Sequence, residues 1–343
     1  MAGIRIDSAA MPVKDPAFPE LPERPGLPGT HPHLDRDELH DIYRDWRTVA
    51  DSYPGTRVLV GEIWLEDAER FARYLRPDEL HTAFNFDFMA RPWEAKELRA
   101  SIEQTLAAHA PVGAPATWVL SNHDVTRPVT RYGRADSSFA FLSKRFGVPT
   151  DLAVGTRRAR AASLLVAALP GSLYIYQGDE LGLPEAEQIP LELLQDPMHY
   201  RSEGVDPGRD GCRVPLPWSG NGPSLGFSPD DATATPWLPQ PTDWAGLSVE
   251  AEIADPASMF SLYRETLRLR RDQTGLHHGS LTWLETGDDV LAFSRGENFV
   301  SVTNLADEPV PLPDHVEVLL TSSALEGGLL PPDTTAWLRR ATA

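Results

Sequence analysis

Five short apolar runs punctuate the first half of the sequence, and the distances between them constrain the fold more than any other feature. They are Gly3-Ile4-Arg5-Ile6, Arg57-Val58-Leu59-Val60-Gly61, Thr82-Ala83-Phe84-Asn85-Phe86, Ala116-Thr117-Trp118-Val119-Leu120 and Ser172-Leu173-Tyr174-Ile175-Tyr176. Each is followed by polar residues and then by a stretch of helical period. Leu39, Ile42, Trp46 and Val49 recur at three- and four-residue steps, as do Leu98, Ile102 and Leu106. Parallel strands need a crossover of a dozen or more residues, whereas antiparallel strands can be joined by a tight turn. Strand and helix in alternation therefore predict an α/β fold with parallel strands and crossover helices. Ala159 to Tyr176 is the longest apolar stretch. Arg160 and Pro170-Gly171 interrupt it, so it is expected to be a buried helix followed by a buried strand and not a membrane span.

The second half follows other rules. From about 196 to 250 Gly, Pro, Asp and Ser dominate without a sustained period, which predicts a long functional loop. A helix follows, with Met259, Tyr263 and Leu267 on one face beside Phe260. After Gly279 come short alternating runs at 281–285, 290–295, 299–305, 316–322 and 335–339, the pattern of a small antiparallel domain. The expected division is an α/β domain over 1–275 and a β domain over 279–343.

Charge narrows the partners. Acidic residues number 50 and basic residues 31, a net charge of −19, so phosphate backbones and anionic lipid surfaces are repelled while a neutral sugar is not. No nucleic-acid or membrane partner is expected. Cys212 is the single cysteine, so neither an intrachain disulfide nor a thiolate metal site can form. His31 and His33 share a Pro-rich loop but have no third ligand at useful spacing, and neither a metal nor a cofactor is expected. Arg5, Asp7, Lys14 and Asp15 interrupt the start of the chain, which therefore lacks the pattern of a secretory leader; a cytoplasmic location is expected.

Three acids fall just past the ends of apolar runs: Asp7, Glu62 and Asp124. One such acid alone is more often an N-cap or a loop anchor. Three at equivalent places point to the face of a parallel barrel where strand-to-helix loops converge and active sites are built.

The segments carrying them, Gly-Ile-Arg-Ile-Asp (3–7), Gly-Glu-Ile-Trp (61–64) and Ser-Asn-His-Asp (121–124), resemble three short regions of glycoside hydrolase family 13, the α-amylase superfamily. Tyr176-Gln-Gly-Asp-Glu-Leu-Gly182 and Gly208-Arg-Asp-Gly-Cys-Arg213 resemble the stretch after the last barrel strand in bacterial α-glucosidases. The resemblance implies a partial (β/α)8 TIM barrel, about strands 4 to 8, followed by a small antiparallel β-sandwich. It implies a retaining α-glucosidase in which Asp7 is the nucleophile and Glu62 the general acid/base, with Asp124 the carboxylate that grips and distorts the sugar. Arg5 would hold the nucleophile, His123 would bond sugar hydroxyls, and Arg209 would face the terminal glucose. Arg213 is weighed as an anchor of the long loop. Trp64 is weighed as packing or a sugar platform, and Phe84 and Phe86 as barrel core rather than substrate contacts. Glucosyl transfer and sucrose hydrolysis remain open within the same chemistry. Ser8 resembles the small hydroxyl residue of α-1,4-preferring relatives more than the valine of α-1,6-preferring ones.

Such a mechanism needs one carboxyl that donates a proton and another that attacks, about 5–5.5 Å apart. Arg5 stands two residues before Asp7 in an extended strand, so both side chains are expected on one side. The resemblance also implies parts without counterpart here. These are the first three barrel strands, the domain inserted after the third, and the Asp and His region that holds the terminal glucose. Met1 stands where relatives ordinarily have valine, and the expectation is an upstream segment or a partner that completes the barrel. The rival to an active enzyme is a non-catalytic fragment awaiting that half.

Overall fold

The computed structural model describes residues 2–21, 30–139, 147–278 and 280–341. Met1 and Gly279, on which two of the expectations above bear, lie outside the described residues. All five apolar runs form strands. In chain order the first half contains β1 (Gly3–Ile6), α1 (Leu39–Asp51), β2 (Val58–Glu62), β3 (Thr82–Phe84), β4 (Thr117–Val119), α2 (Leu152–Ala168) and β5 (Ser172–Tyr174). The chain divides into two compact units, residues 1–88 with 100–118, and residues 89–99 with 119–343.

In the first unit β1, β2 and β3 lie side by side in that order, all parallel, with Ile4 opposite Leu59 and Val60 opposite Thr82. The sheet ends at β3. Beyond it Thr117 uses its side chain, accepting from Asn85 N at 2.9 Å and donating to Ala83 O at 2.5 Å. The core joins Ile6, Leu59 and Ala83 to Tyr43 of α1 and to Phe71 and Tyr74. Two carboxylates buried beside it are met by donors, as low dielectric requires. Glu79, with no exposed side-chain surface, receives His40 Nδ1 at 2.7 Å, Arg44 Nη1 at 3.0 Å and Arg76 Nη1 at 3.2 Å. Asp35 accepts from Tyr74 at 2.8 Å and pairs with Arg70.

Helix α1 forms where its period predicts, yet it buries another face. Leu39, His40, Tyr43 and Ala50 are buried, while Trp46 and Val49 of the predicted stripe are 46% and 59% exposed. Together with Ile4 and Tyr53 they line an open apolar groove beside β1, whose one neighbour in its sheet is β2.

The second unit continues with α3 (Met259–Asp272), β6 (Leu281–Trp283), β7 (Val290–Arg295), β8 (Phe299–Asn304), β9 (Glu317–Thr321) and β10 (Thr334–Arg339). These strands pair antiparallel in the order β6-β7-β8-β10-β9. The expected sandwich is corrected: among the described residues the strands make a single sheet, and a helix packs against it. Thr335 Oγ1 donates to Ala161 O at 2.8 Å and Trp337 Nε1 to Leu164 O at 3.1 Å. Helix α2 begins on Asp151, whose side chain accepts from the backbone N of Ala153 and Val154. Over Ala161 to Ala168 every residue of α2 is buried, which explains its lack of a polar face.

The 196–250 stretch is not structureless. It holds short helices at Pro197–Arg201 and Val249–Ala254 and a 3₁₀ turn at Asp210–Cys212. Val214, Leu238 and Trp244 pack with Leu181 and Leu183 into a core of their own. Among the described residues no helix is long and apolar enough to cross a membrane.

Trp337 is wholly buried, so Trp337→Ala is expected to lower the free energy of unfolding by about 3–5 kcal/mol in urea titrations. Trp237→Ala, at a side chain 76% exposed, is the control and should stay within about 0.5 kcal/mol.

Candidate active site

In the first unit, Arg5 lies in β1, Asp7 in the turn after it, and Glu62 ends β2. The two-residue spacing does bring Arg5 and Asp7 together, with Nη1 to Oδ1 at 2.6 Å. The other arm of the same guanidinium, Nη2, reaches Glu62 Oε2 at 4.0 Å, so one arginine contacts both acids. Their surroundings differ. The Asp7 side chain is 73% exposed, and Glu62 is buried.

Both oxygens of Glu62 are engaged. Ser8 N donates to Oε2 at 2.7 Å, and Trp64 Nε1 donates to Oε1. Ser8 itself has a left-handed backbone, φ 46°, in the turn after β1. The Trp64 indole stacks on Phe86 with centroids 4.0 Å apart, Phe86 stacks on Phe84, and the Arg5 guanidinium lies 5.9 Å above the Phe84 ring. Of the two aromatics weighed as core, Phe86 is buried and Phe84 partly so.

In the second unit, Asp124 sits in the turn after β4 with His123 beside it, His123 Nε2 to Asp124 Oδ2 at 3.4 Å. Asp124 Oδ1 accepts from Arg209 Nη1 and from Arg213 Nη2, each at 2.9 Å. Arg213 also donates from Nε to His123 O at 2.7 Å, tying the loop to the motif at two points. Arg209 is further held by Asp196: Nε donates to Oδ2 at 2.6 Å, Nη2 to Oδ1 at 3.0 Å. Burial alone would raise the Asp196 carboxyl, but bonds from Arg209 and the Met198 N–H outweigh it and hold it far below the usual carboxylate range. The hydrogen bond to Asp196 in turn raises the Arg209 guanidinium.

Two glycines let this loop close. Gly208 has φ +82°, and a Cβ there would stand 2.8 Å from Asp196 Cβ. At Gly211 a Cβ would meet Ala186 O at 2.8 Å.

Sequence reasoning missed Asp196 as the partner of Arg209, and it missed Asp179. Ser121 Oγ lies 2.7 and 2.9 Å from the two Asp179 oxygens, binding the Ser-Asn-His-Asp motif to the Tyr176–Gly182 stretch. The signal for Asp179 was present in that stretch, but nothing in it marked the residue as buried. Among the described residues no group of three or more His, Cys, Asp or Glu is placed to hold a metal ion. His31 Nδ1 instead accepts from His33 N at 3.0 Å.

Residues 1–279 match the alpha-amylase catalytic domain, and the chain belongs to that family. Among its relatives is a probable alpha-glucosidase of Rhizobium meliloti, 32% identical over 84% of this chain and 51% of its own length. The trehalose-6-phosphate hydrolase of Escherichia coli is 27% identical over 90% of this chain and 57% of its own. A solved alpha-glucosyl transfer enzyme superposes with a TM-score of 0.79 at 27% identity, covering 99% of this chain and 64% of that one. The isomaltulose synthase of Erwinia rhapontici, at 21% identity and a TM-score of 0.78, shares the fold. The chain thus spans about half the length of the curated relatives it matches.

Burial pushes the Asp179 carboxyl up to about 6 from 3.8, although the Ser121 hydrogen bond and the Arg127 charge pull the other way. A carboxyl raised on folding binds its proton more tightly in the folded state, so its stabilisation is full below about pH 4 and is lost as pH rises through about 6. Between about pH 4 and 7 the unmodified chain should lose about 2–3 kcal/mol more stability than Asp179→Asn. Urea midpoints of the two proteins across that range provide the check.

Proposed function

We propose that this chain carries the chemistry of a retaining α-glucosidase acting on short α-glucosides. Asp7 attacks the anomeric carbon. Glu62 protonates the departing oxygen and then takes a proton from the water that releases the sugar. Asp124, bonded by Arg209 and Arg213, grips and distorts the sugar, His123 bonds its hydroxyls, and Arg209 faces the terminal glucose. The observation that carries the reading is Arg5 in contact with both Asp7 and Glu62, one acid exposed for attack and the other buried and fixed. The names of the relatives support the class of substrate, and the alpha-glucosyl transfer enzyme keeps transfer to a sugar acceptor open beside hydrolysis.

A second reading is a chain that turns over nothing until a further polypeptide covers the β1 edge and completes the partial barrel. The 51% exposure of Ile4, on a strand whose one neighbour in its sheet is β2, favours it. Incubation with 4-nitrophenyl α-glucoside separates the two. The first predicts release of nitrophenol that falls at least about 100-fold in Asp7→Asn, since removing a nucleophile removes the covalent route. No release above the variant's level favours the second. Chromatography of products from maltose then distinguishes hydrolysis from transfer.

A further inference from the structure

We infer that Trp64 is a positioning residue for proton donation, setting the plane of the Glu62 carboxyl through its indole N–H; this rests on Glu62 being the acid proposed above. A glutamate carboxyl rotates freely about its last torsion unless both oxygens are held. Ser8 N holds Oε2 at 2.7 Å, and that bond alone leaves the group free to swing about it. The second donor, Trp64 Nε1 on Oε1, removes the remaining freedom. The indole is itself immobilised, since its ring stacks on Phe86 at 4.0 Å and Phe86 is buried against Phe84. Trp64 therefore cannot follow a rotating carboxylate without breaking the stack. Among the hydrogen-bond donors in the side chains, only a ring of this length offers an N–H while filling the stack; Phe would keep the stack and lose the N–H.

The role makes a claim that packing alone does not. Proton donation matters in proportion to how poorly the leaving group departs unaided, and positioned general acids contribute about 100- to 10,000-fold. A fluoride ion departs from α-glucosyl fluoride without a proton, whereas the glucose leaving from maltose needs one. A tilted Glu62 should therefore slow maltose cleavage far more than fluoride release, while lost folding or lost substrate binding should slow both alike.

The test compares the full chain, Glu62→Gln and Trp64→Phe on both substrates. For Trp64→Phe the expected result is a fall in kcat on maltose at least tenfold greater than on the fluoride, with KM little changed. Glu62→Gln should show the same split, larger. If Glu62→Gln shows the split and Trp64→Phe lowers both substrates equally, Trp64 is a packing residue and the inference is overturned while the assignment of Glu62 stands. If Glu62→Gln shows no split, or the full chain releases no fluoride, the catalytic reading falls and this inference with it. An independent measurement needs no turnover. The Trp64 indole N–H resonance, assigned by its loss in Trp64→Phe, should move upfield in Glu62→Gln, and an unmoved resonance overturns the pairing.

Discussion

A carboxylate withdrawn from water must be met by donors, and that requirement shapes the local backbone in both units. In the first, Glu62 closes a strand over an apolar core, and its donors are an indole and a peptide N–H. That peptide lies in the turn after β1, where Ser8 has a left-handed conformation that most side chains avoid. In the second, Asp124 and Asp196 share one arginine, and the chain must bring Arg209 back across 85 residues to reach the first of them. Gly208 and Gly211 stand where the returning loop crosses its own earlier turns, with no room for a Cβ.

Not all ion pairs act alike. Arg268 on α3 meets Glu265 and Asp272, but all three side chains are substantially exposed, where pairing in water contributes little. Glu79 and Asp196 have no exposed side-chain surface, and losing a donor there strands a charge in a poor solvent. The buried pairs therefore fix geometry, and the exposed ones mainly keep a strongly acidic surface hydrated. Each buried acid paired with an arginine withdraws one charge of each sign, so the excess of 19 acids over bases remains outside those pairs.

Much of the fold was legible. Short apolar runs located β1, β2 and β5 although β1 is exposed from Gly3 to Arg5, and alternation revealed the C-terminal strands to within two residues at either end. What failed was whatever depends on distant partners. Periodicity located α1 but not its buried face: Tyr43 and His40 are buried with polar partners, while Trp46 and Val49 line the groove beside β1. Alternation could not say that α2, rather than a second sheet, would cover the β domain. The 196–250 stretch lacks a period because its order comes from 3₁₀ turns and a small cluster around Trp244, neither of which repeats. Of the proposed site, Asp7, Glu62 and Asp124 were visible at strand ends. Asp196 was not, since a lone aspartate at the head of a Pro-rich loop resembles any N-cap, and it does cap the helix at Pro197 as well as binding Arg209.

The contrast between Asp7 and Glu62 bears directly on their proposed roles. An attacking carboxylate must present a lone pair, and Asp7 is held at one oxygen by Arg5 in an open setting. A proton donor must instead keep a defined direction through the reaction, and Glu62 is pinned at both oxygens by groups that cannot follow it. Arg5 touches both acids, so any movement of β1 against β2 would be felt by the pair together. The parallel ladder from Gly3–Val58 to Ile6–Gly61 is what prevents that slip. The strand pairing thus holds the proposed pair: a shift of one residue would turn Arg5 to the opposite face and part it from both carboxylates.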